Sequence, residues 1–222
     1  MNSSLLFLFA FFSLSFFQVG FFFEPESPNS SEKLTYGKEY FPLKNNLKFI
    51  YDSNIGTTEA EIKTEGKSFT LNINAGSLTY KQTLMSNEKG IYMTRVCSKA
   101  YFFGKTITYS KPLLRLPLPI TLGSTWQWIG YEIDDGDSTR LVVNGSIIGI
   151  ESINTKVGKF DCIKVVLKMT SGNETSYETE WLAPEIGIVK SEAKISGSGI
   201  SGLIQKLMGL SEIKFLLARI KD

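Results

Sequence analysis

The residues best able to do chemistry in this 222-residue chain are two acidic groups and two thiols. Asp134, Asp135 and Asp137 cluster in one short stretch. Glu178, Glu180 and Glu185 form a second group, and Cys97 and Cys162 are the only cysteines. Carboxylates at such density can hold calcium through oxygen ligands. The aspartate run is too short for a full calcium loop, and no Glu follows at the required distance. Asp134-Asp135-Gly136-Asp137 therefore reads as a hairpin turn, where Asp and Gly are favoured on backbone grounds. Glu178 and Glu180 have the spacing of one strand face, with no second acidic cluster to make a glycosidase-type pair. They read as a solvated strand face. No metal site and no cofactor site is expected.

The chain contains no histidine. Its absence removes imidazole acid–base catalysis, Ser-His-Asp and Cys-His nucleophile pairs, and the commonest zinc ligand. A Lys-, Tyr- or carboxylate-based enzyme is the remaining catalytic alternative, and no paired nucleophile and base marks one. The chain is expected not to be an enzyme. Lys and Arg number 24 against 22 Asp and Glu, a net charge of +2. The cations are interspersed with the acids, so the basic stripe of a nucleic-acid binder is missing.

Two further sets of residues could matter. Cys97 and Cys162 would permit one disulfide in an oxidising compartment; two separate thiols is the alternative, because sequence does not place the Cα atoms within bridging range. Phe49, Tyr51, Trp126, Trp128 and Trp181 could line a pocket for an apolar or sugar ligand. At alternate strand positions they are more simply a shared core.

The elements that position these groups begin after an export segment. Leu5 to Phe23 is an apolar run broken only by Ser13, Ser15, Gln18 and Gly20. It is a secretory signal or a retained N-terminal anchor, written as an apolar helix in either case. Residues 24–33 are a linker of Pro, Glu, Ser and Asn. From Leu34 onward, short β-branched and aromatic runs alternate with Gly, Asn and Asp clusters, the pattern of an all-β domain. Strands are expected over Leu47–Tyr51, Glu59–Thr64, Ser68–Ile73, Leu78–Met85 and Ile91–Val96. A second set covers Thr125–Ile133, Thr139–Ser152, Phe160–Thr170, Ser176–Leu182 and Gly187–Ile195.

The two sets match each other. Pro42 to Tyr51 lies over Pro119 to Trp128, each a proline, an aliphatic residue, a turn, and a strand with two aromatics two residues apart. Tyr80 to Tyr92 lies over Tyr177 to Val189, setting Leu84 opposite Trp181 and Gly90 opposite Gly187. The expectation is one domain over 34–222 with halves of four or five strands, about 34–110 and 111–195, sharing one core. The fold class is a curved antiparallel sheet, an open barrel or a sandwich. Pro112, Pro117 and Pro119 make Ser110–Leu122 a crossover instead of a central strand. In the tail, 196–222, Ile200–Met208 fits a short helix, and Glu212–Ile220 fits a last strand or a helix.

Tyr40-Phe41-Pro42-Leu43 with Phe49-Ile50-Tyr51, the segment Val157 to Val165, and Trp181 to Lys190 together resemble the TapB-like proteins. Those stand near a larger domain-of-unknown-function family of bacterial exported β proteins. The likeness departs from the family pattern at Asn46 and Phe49, where Gly and Trp are usual; Gly123 and Trp126 keep it. The resemblance implies a periplasmic or surface location and a curved sheet akin to the open barrels of lipoprotein carriers. It implies no activity and transfers no catalytic residue. The expected function is that of a non-catalytic, exported cell-envelope protein, periplasmic or extracellular, with residues 5–23 as the means of any membrane attachment. It would bind a lipid or other apolar ligand, or an envelope protein partner. A structural or adhesion module without a pocket is the alternative.

Overall fold

A computed structural model describes residues 34–194 and 211–221. Fourteen strands are formed: β1 Thr35–Tyr36, β2 Leu47–Ser53, β3 Thr58–Glu65, β4 Ser68–Ala75, β5 Leu78–Asn87, β6 Gly90–Ala100, β7 Phe103–Pro117, β8 Ile120–Thr121, β9 Thr125–Asp134, β10 Asp137–Thr155, β11 Gly158–Ser171, β12 Glu174–Ala183, β13 Gly187–Lys194 and β14 Glu212–Lys221. Alternation explains them. In β3, Thr58, Ala60 and Ile62 are buried, while Glu59 and Lys63 face solvent. In β11, Ile163, Val165 and Leu167 are buried on one face. A period of two puts each set on one side of the sheet.

Twelve strands, all but β1 and β8, close into an antiparallel barrel. Its order is a plain meander: β2 to β7, then β9 to β14, with β14 returning to β2. Gly90 and Gly187 open the equivalent strands β6 and β13. The neighbouring pairings β5–β6 and β12–β13 both shift register beside Leu84 and Trp181. The sheet curls until its first and last strands meet, so the barrel is closed instead of open. Closure leaves no free sheet edge except along the sparsely paired β7–β9 seam.

Three expectations change. Ser110–Leu122 is not a crossover: β7 runs through Pro112 to Pro117. Pro112 is tolerated because the β6–β7 ladder jumps from Arg95↔Thr108 to Met93↔Leu113, skipping residues 109–112, and Pro117 stands at the ladder's last position, opposite Gly90. Counted around the ring as β2–β7 and β9–β14 there are six strands on each side of the seam, the last of them, β14, contributed by the tail beyond residue 195. Glu212–Ile220 is strand, paired with β13 and β2. The apolar N-terminal run and Ile200–Met208 lie outside the described residues.

The seam between the halves at β7–β9 has only two paired positions, Thr108↔Ile133 and Tyr109↔Glu132. Side chains complete it. Trp128 Nε1 donates to the Pro112 carbonyl at 3.0 Å, and Trp126 Nε1 to the Leu114 carbonyl at 3.2 Å. The Tyr131 amide donates to Ser110 Oγ at 3.0 Å. Two indoles thus stand in for ladder donors. Gly130 and Gly145 make room: a Cβ at Gly130 would lie 2.3 Å from the Trp128 ring, and one at Gly145 2.2 Å from the Trp126 ring.

One end of the barrel is filled. β1 pairs with β8, and a short 3-10 turn at Lys38–Tyr40 leads to Phe41, which is buried. The Glu185 amide donates to the Glu39 carbonyl at 2.7 Å, and Lys44 pairs with Glu185. Phe41, Phe49, Leu84, Ile91, Leu116, Ile163, Leu182 and Val189 all belong to one core drawn from both halves.

Candidate functional site

The barrel interior is not filled throughout. A cavity of about 260 Å³ runs from the Arg115 layer toward the opposite rim, reaching Glu174 and Lys194. Most of its wall is aliphatic and aromatic: Leu71, Leu113, Val143, Leu167, Tyr51 and Phe215 contribute. A barrel of this many strands is wide enough to leave such space, where eight strands can be filled by side chains alone.

The lining also carries charge. Arg115 on β7 and Glu180 on β12 form a two-point ion pair, Nη1 to Oε2 at 2.8 Å and Nη2 to Oε1 at 2.6 Å. Both side chains are almost fully buried. The guanidinium also lies over the Phe41 ring, 4.7 Å from its centroid, so Arg115 separates the cavity from the filled end. Burial alone would lower the Arg115 pKa, but the Glu180 charge and hydrogen bonds outweigh it and hold the guanidinium charged. A planar fork against a carboxylate is the strongest common ion-pair geometry.

Glu178 lies two residues from Glu180 on the same strand and faces the cavity. Burial, followed by the Glu180 charge, pushes its carboxyl up to about 7. Arg115 acts against that shift without cancelling it. The group keeps partial access to solvent while being surrounded by protein, as befits a side chain facing an internal space. Gln82 Nε2 donates to the Tyr80 hydroxyl at 3.2 Å. The other amide atom, Gln82 Oε1, is buried and has no hydrogen-bond partner, although Gln82 is only 5% exposed. Burial pushes the Tyr80 hydroxyl up to about 12 and the Tyr109 hydroxyl well above its ordinary value. Both phenols therefore stay neutral. Ser171 donates to Glu132 nearer the rim.

The sequence-predicted site residues are scattered relative to this space. Of Phe49, Tyr51, Trp126, Trp128 and Trp181, only Tyr51 lines the cavity; its hydroxyl donates to the Ile188 carbonyl at 2.7 Å. Phe49 and Trp128 are core, and Trp126 packs against that core at the seam. Trp181 lies on the sheet face opposite Glu180, covered by Lys190 and Lys164 at 4.2 and 5.1 Å from its ring. Its Nε1 donates to Glu151.

Cys97 and Cys162 form no disulfide. They sit on β6 and β11, with β7, β9 and β10 between them around the ring. The Cys97 thiol accepts from Thr106 at 3.4 Å, while Cys162 is fully buried near the Phe160 carbonyl.

Glu178 and Glu180 are not a solvated face; they point inward. Arg115 was missed because prolines on both sides argued against a strand. The available signal was the run Leu113-Leu114-Arg115-Leu116, a lone charge amid leucines, which on a strand shares a face with Leu113. The aspartate turn is as expected: Asp135 and Gly136 both have positive φ, 48° and 94°, the geometry of a tight type I′ hairpin. Asp134 pairs with Lys105 at 2.5 Å. Among the described residues, no cluster could hold a metal ion.

Fold and site together define a closed, antiparallel meander barrel with an internal cavity, mostly apolar and crossed by the Arg115–Glu180 ion pair. Residues 133–196, spanning β10 to β13, match the family model described as DUF3108-like, and the expected likeness to a domain-of-unknown-function family is found there. No curated protein matches the chain. Two solved structures are similar. One is a protein provisionally assigned as a lipoprotein from Parabacteroides distasonis, at 14% identity and a TM-score of 0.37, covering 86% of this chain and 100% of that one. The other is provisionally assigned as an exported protein with a YmcC-like fold, from Bacteroides fragilis. It shows 15% identity and a TM-score of 0.41, covering 85% of this chain and 100% of that one.

Proposed function

We propose that this chain is an exported, non-catalytic cell-envelope protein whose barrel holds a small amphipathic ligand. The apolar run at residues 5–23 supports export, and deletion of those residues should leave the protein in the cytosol. One observation carries the binding reading: a cavity of about 260 Å³ that combines a mostly apolar lining with a few buried polar groups. Ligand pockets commonly measure about 300–1,000 Å³. This one is at the lower edge, which suits a short or partly inserted chain better than a whole phospholipid. The polar groups would fix the head group, and the aliphatic wall would take the tail. Native mass spectrometry after gentle purification from the source cell, with solvent extraction, should show a co-purifying amphiphile. Ala193→Phe, which places a ring in the cavity, should lose it. Repeated absence of any bound species from the unaltered protein would defeat the reading.

A second reading, an interaction module, rests on a different observation. The β6–β7 hairpin presents Tyr101, Phe102 and Phe103 to solvent, with Phe102 96% exposed. Exposed aromatic patches of this kind mark contact surfaces. Replacing all three with Ser should abolish partner capture in envelope cross-linking while leaving the melting temperature unchanged; retention of every cross-link would remove this reading.

A further inference from the structure

The charge inside the barrel has a sign. Among the described residues, three glutamates, Glu132, Glu178 and Glu180, line the cavity with Arg115, and Glu174 and Lys194 lie toward the rim. Arg115 is already held at two points by Glu180 and stacked on Phe41. An anionic head group entering here would have to share that guanidinium with the Glu180 carboxylate, away from water. Like charges brought together away from water repel strongly. The Tyr109 ring system lies within electrostatic reach of both Glu132 and Glu178, and Tyr80 within reach of Glu178 and Glu180. Carboxylates beside neutral phenol rings form an environment suited to a cation, since aromatic faces attract positive charge.

An independent feature points the same way. Gln82 Oε1 is a buried acceptor on the cavity wall without a donor. Leaving such an atom unmatched costs free energy that a ligand N–H would recover. Alcohols and amines could both supply a donor, but only a protonated amine also answers the surplus of carboxylates. Resting on the ligand-binding reading above, we propose that the cavity accepts a short-chain alkylammonium amphiphile, its N–H groups directed to Glu178 and Gln82 and its tail to the aliphatic wall. Binding beside Glu178 favours the carboxylate over the carboxylic acid, so the acid proton leaves to the buffer as the ligand enters. The groups facing Glu178 that shape this equilibrium are Glu180 on its own strand, Arg115 and Tyr109 on β7 and Tyr80 on β5, with Lys194 on β13 lining the same cavity.

Calorimetry of the purified protein at pH 6 with decylammonium, 1-decanol and decanoate, each below its micelle concentration, tests this. Decylammonium should bind about ten- to a hundredfold more tightly than decanol, the weight of one charge-assisted hydrogen bond. Decanoate should bind most weakly. Repeating the titration in buffers of different ionisation enthalpy should show proton release on decylammonium binding and none with decanol. Glu178→Gln should bring decylammonium down to the decanol level while sparing decanol itself. If decanoate equals or exceeds decylammonium, or if no proton is released, the amine assignment fails while the binding reading stands. If the preference survives in Glu178→Gln, surface carboxylates are responsible and the assignment fails likewise. If none of the three probes binds, the ligand-binding reading fails with it. Should Glu178→Gln not fold, the head-group ranking and the proton count on the unaltered protein decide the matter.

Discussion

Arg115 and Glu180 reach across the barrel interior from β7 and β12 and join in a two-point ion pair, at 2.8 and 2.6 Å, inside the protein core. Sixty-five residues separate them in sequence. The pair belongs to opposite halves of the meander, so it forms only once the ring closes. Its energetic meaning lies less in attraction than in mutual dependence. A buried charge without its partner is costly, whereas removing both can be nearly neutral.

Arg115→Met should therefore destabilise the protein by about 3–5 kcal/mol, because Glu180 is left buried and uncompensated. The double variant Arg115→Met/Glu180→Leu should regain most of that loss. Chemical denaturation of the two single variants and the double variant, at fixed pH, measures the coupling.

Stability should fall as pH rises from the ordinary glutamate range toward about 7. Glu178 holds its proton more tightly folded than unfolded, since burial and then Glu180 raise its pKa. Its contribution is complete below the unfolded pKa, near 4.5, and is lost as pH climbs through the folded value. The slope should amount to a loss on the order of 3 kcal/mol over that window. Denaturation midpoints between pH 4.5 and 8 in Glu178→Gln should lack this component; an identical slope in the variant would contradict the assignment.

Trp128→Phe keeps an aromatic ring but replaces the indole with a smaller phenyl group and removes the donor to the Pro112 carbonyl. A net cost of about 1–2 kcal/mol is expected for the lost hydrogen bond and the space left by the smaller ring. Hydrogen exchange should accelerate in β7 and β9 and remain unchanged at β3–β4, where the ladder is continuous from Glu59↔Asn74 to Glu65↔Ser68.

The two thiols should differ in reactivity. Burial pushes the Cys162 thiol up to about 12, so little thiolate exists at neutral pH. Cys97 is only partly buried. A thiol-specific reagent should label Cys97 in the folded protein and Cys162 only after unfolding, with two free thiols in total under non-reducing denaturation. One thiol-free population would indicate a bridge and contradict the separation of β6 and β11.

Most of the strands were legible in the chain because each hides one face, and a hidden face writes itself as alternation. The same reasoning misjudged β7, where prolines signalled a broken ladder correctly but not the indoles that mend it. Trp126 and Trp128 were recognised as core-facing rings, yet their Nε1 donors to β7 carbonyls belong to residues more than ten positions away.

What the order of residues determined by itself was local: ten amphipathic strand segments, their turns, and the likeness of two successive sets of them. Whether that sheet stayed open or met its own edge depended on accumulated curl over all twelve strands and on the β7–β9 seam, neither of which has a local signature. The same holds for Glu178 and Glu180. Alternation put them on one face, but which face became the inside was settled only when Arg115, arriving from the other half, made burial of a carboxylate tolerable.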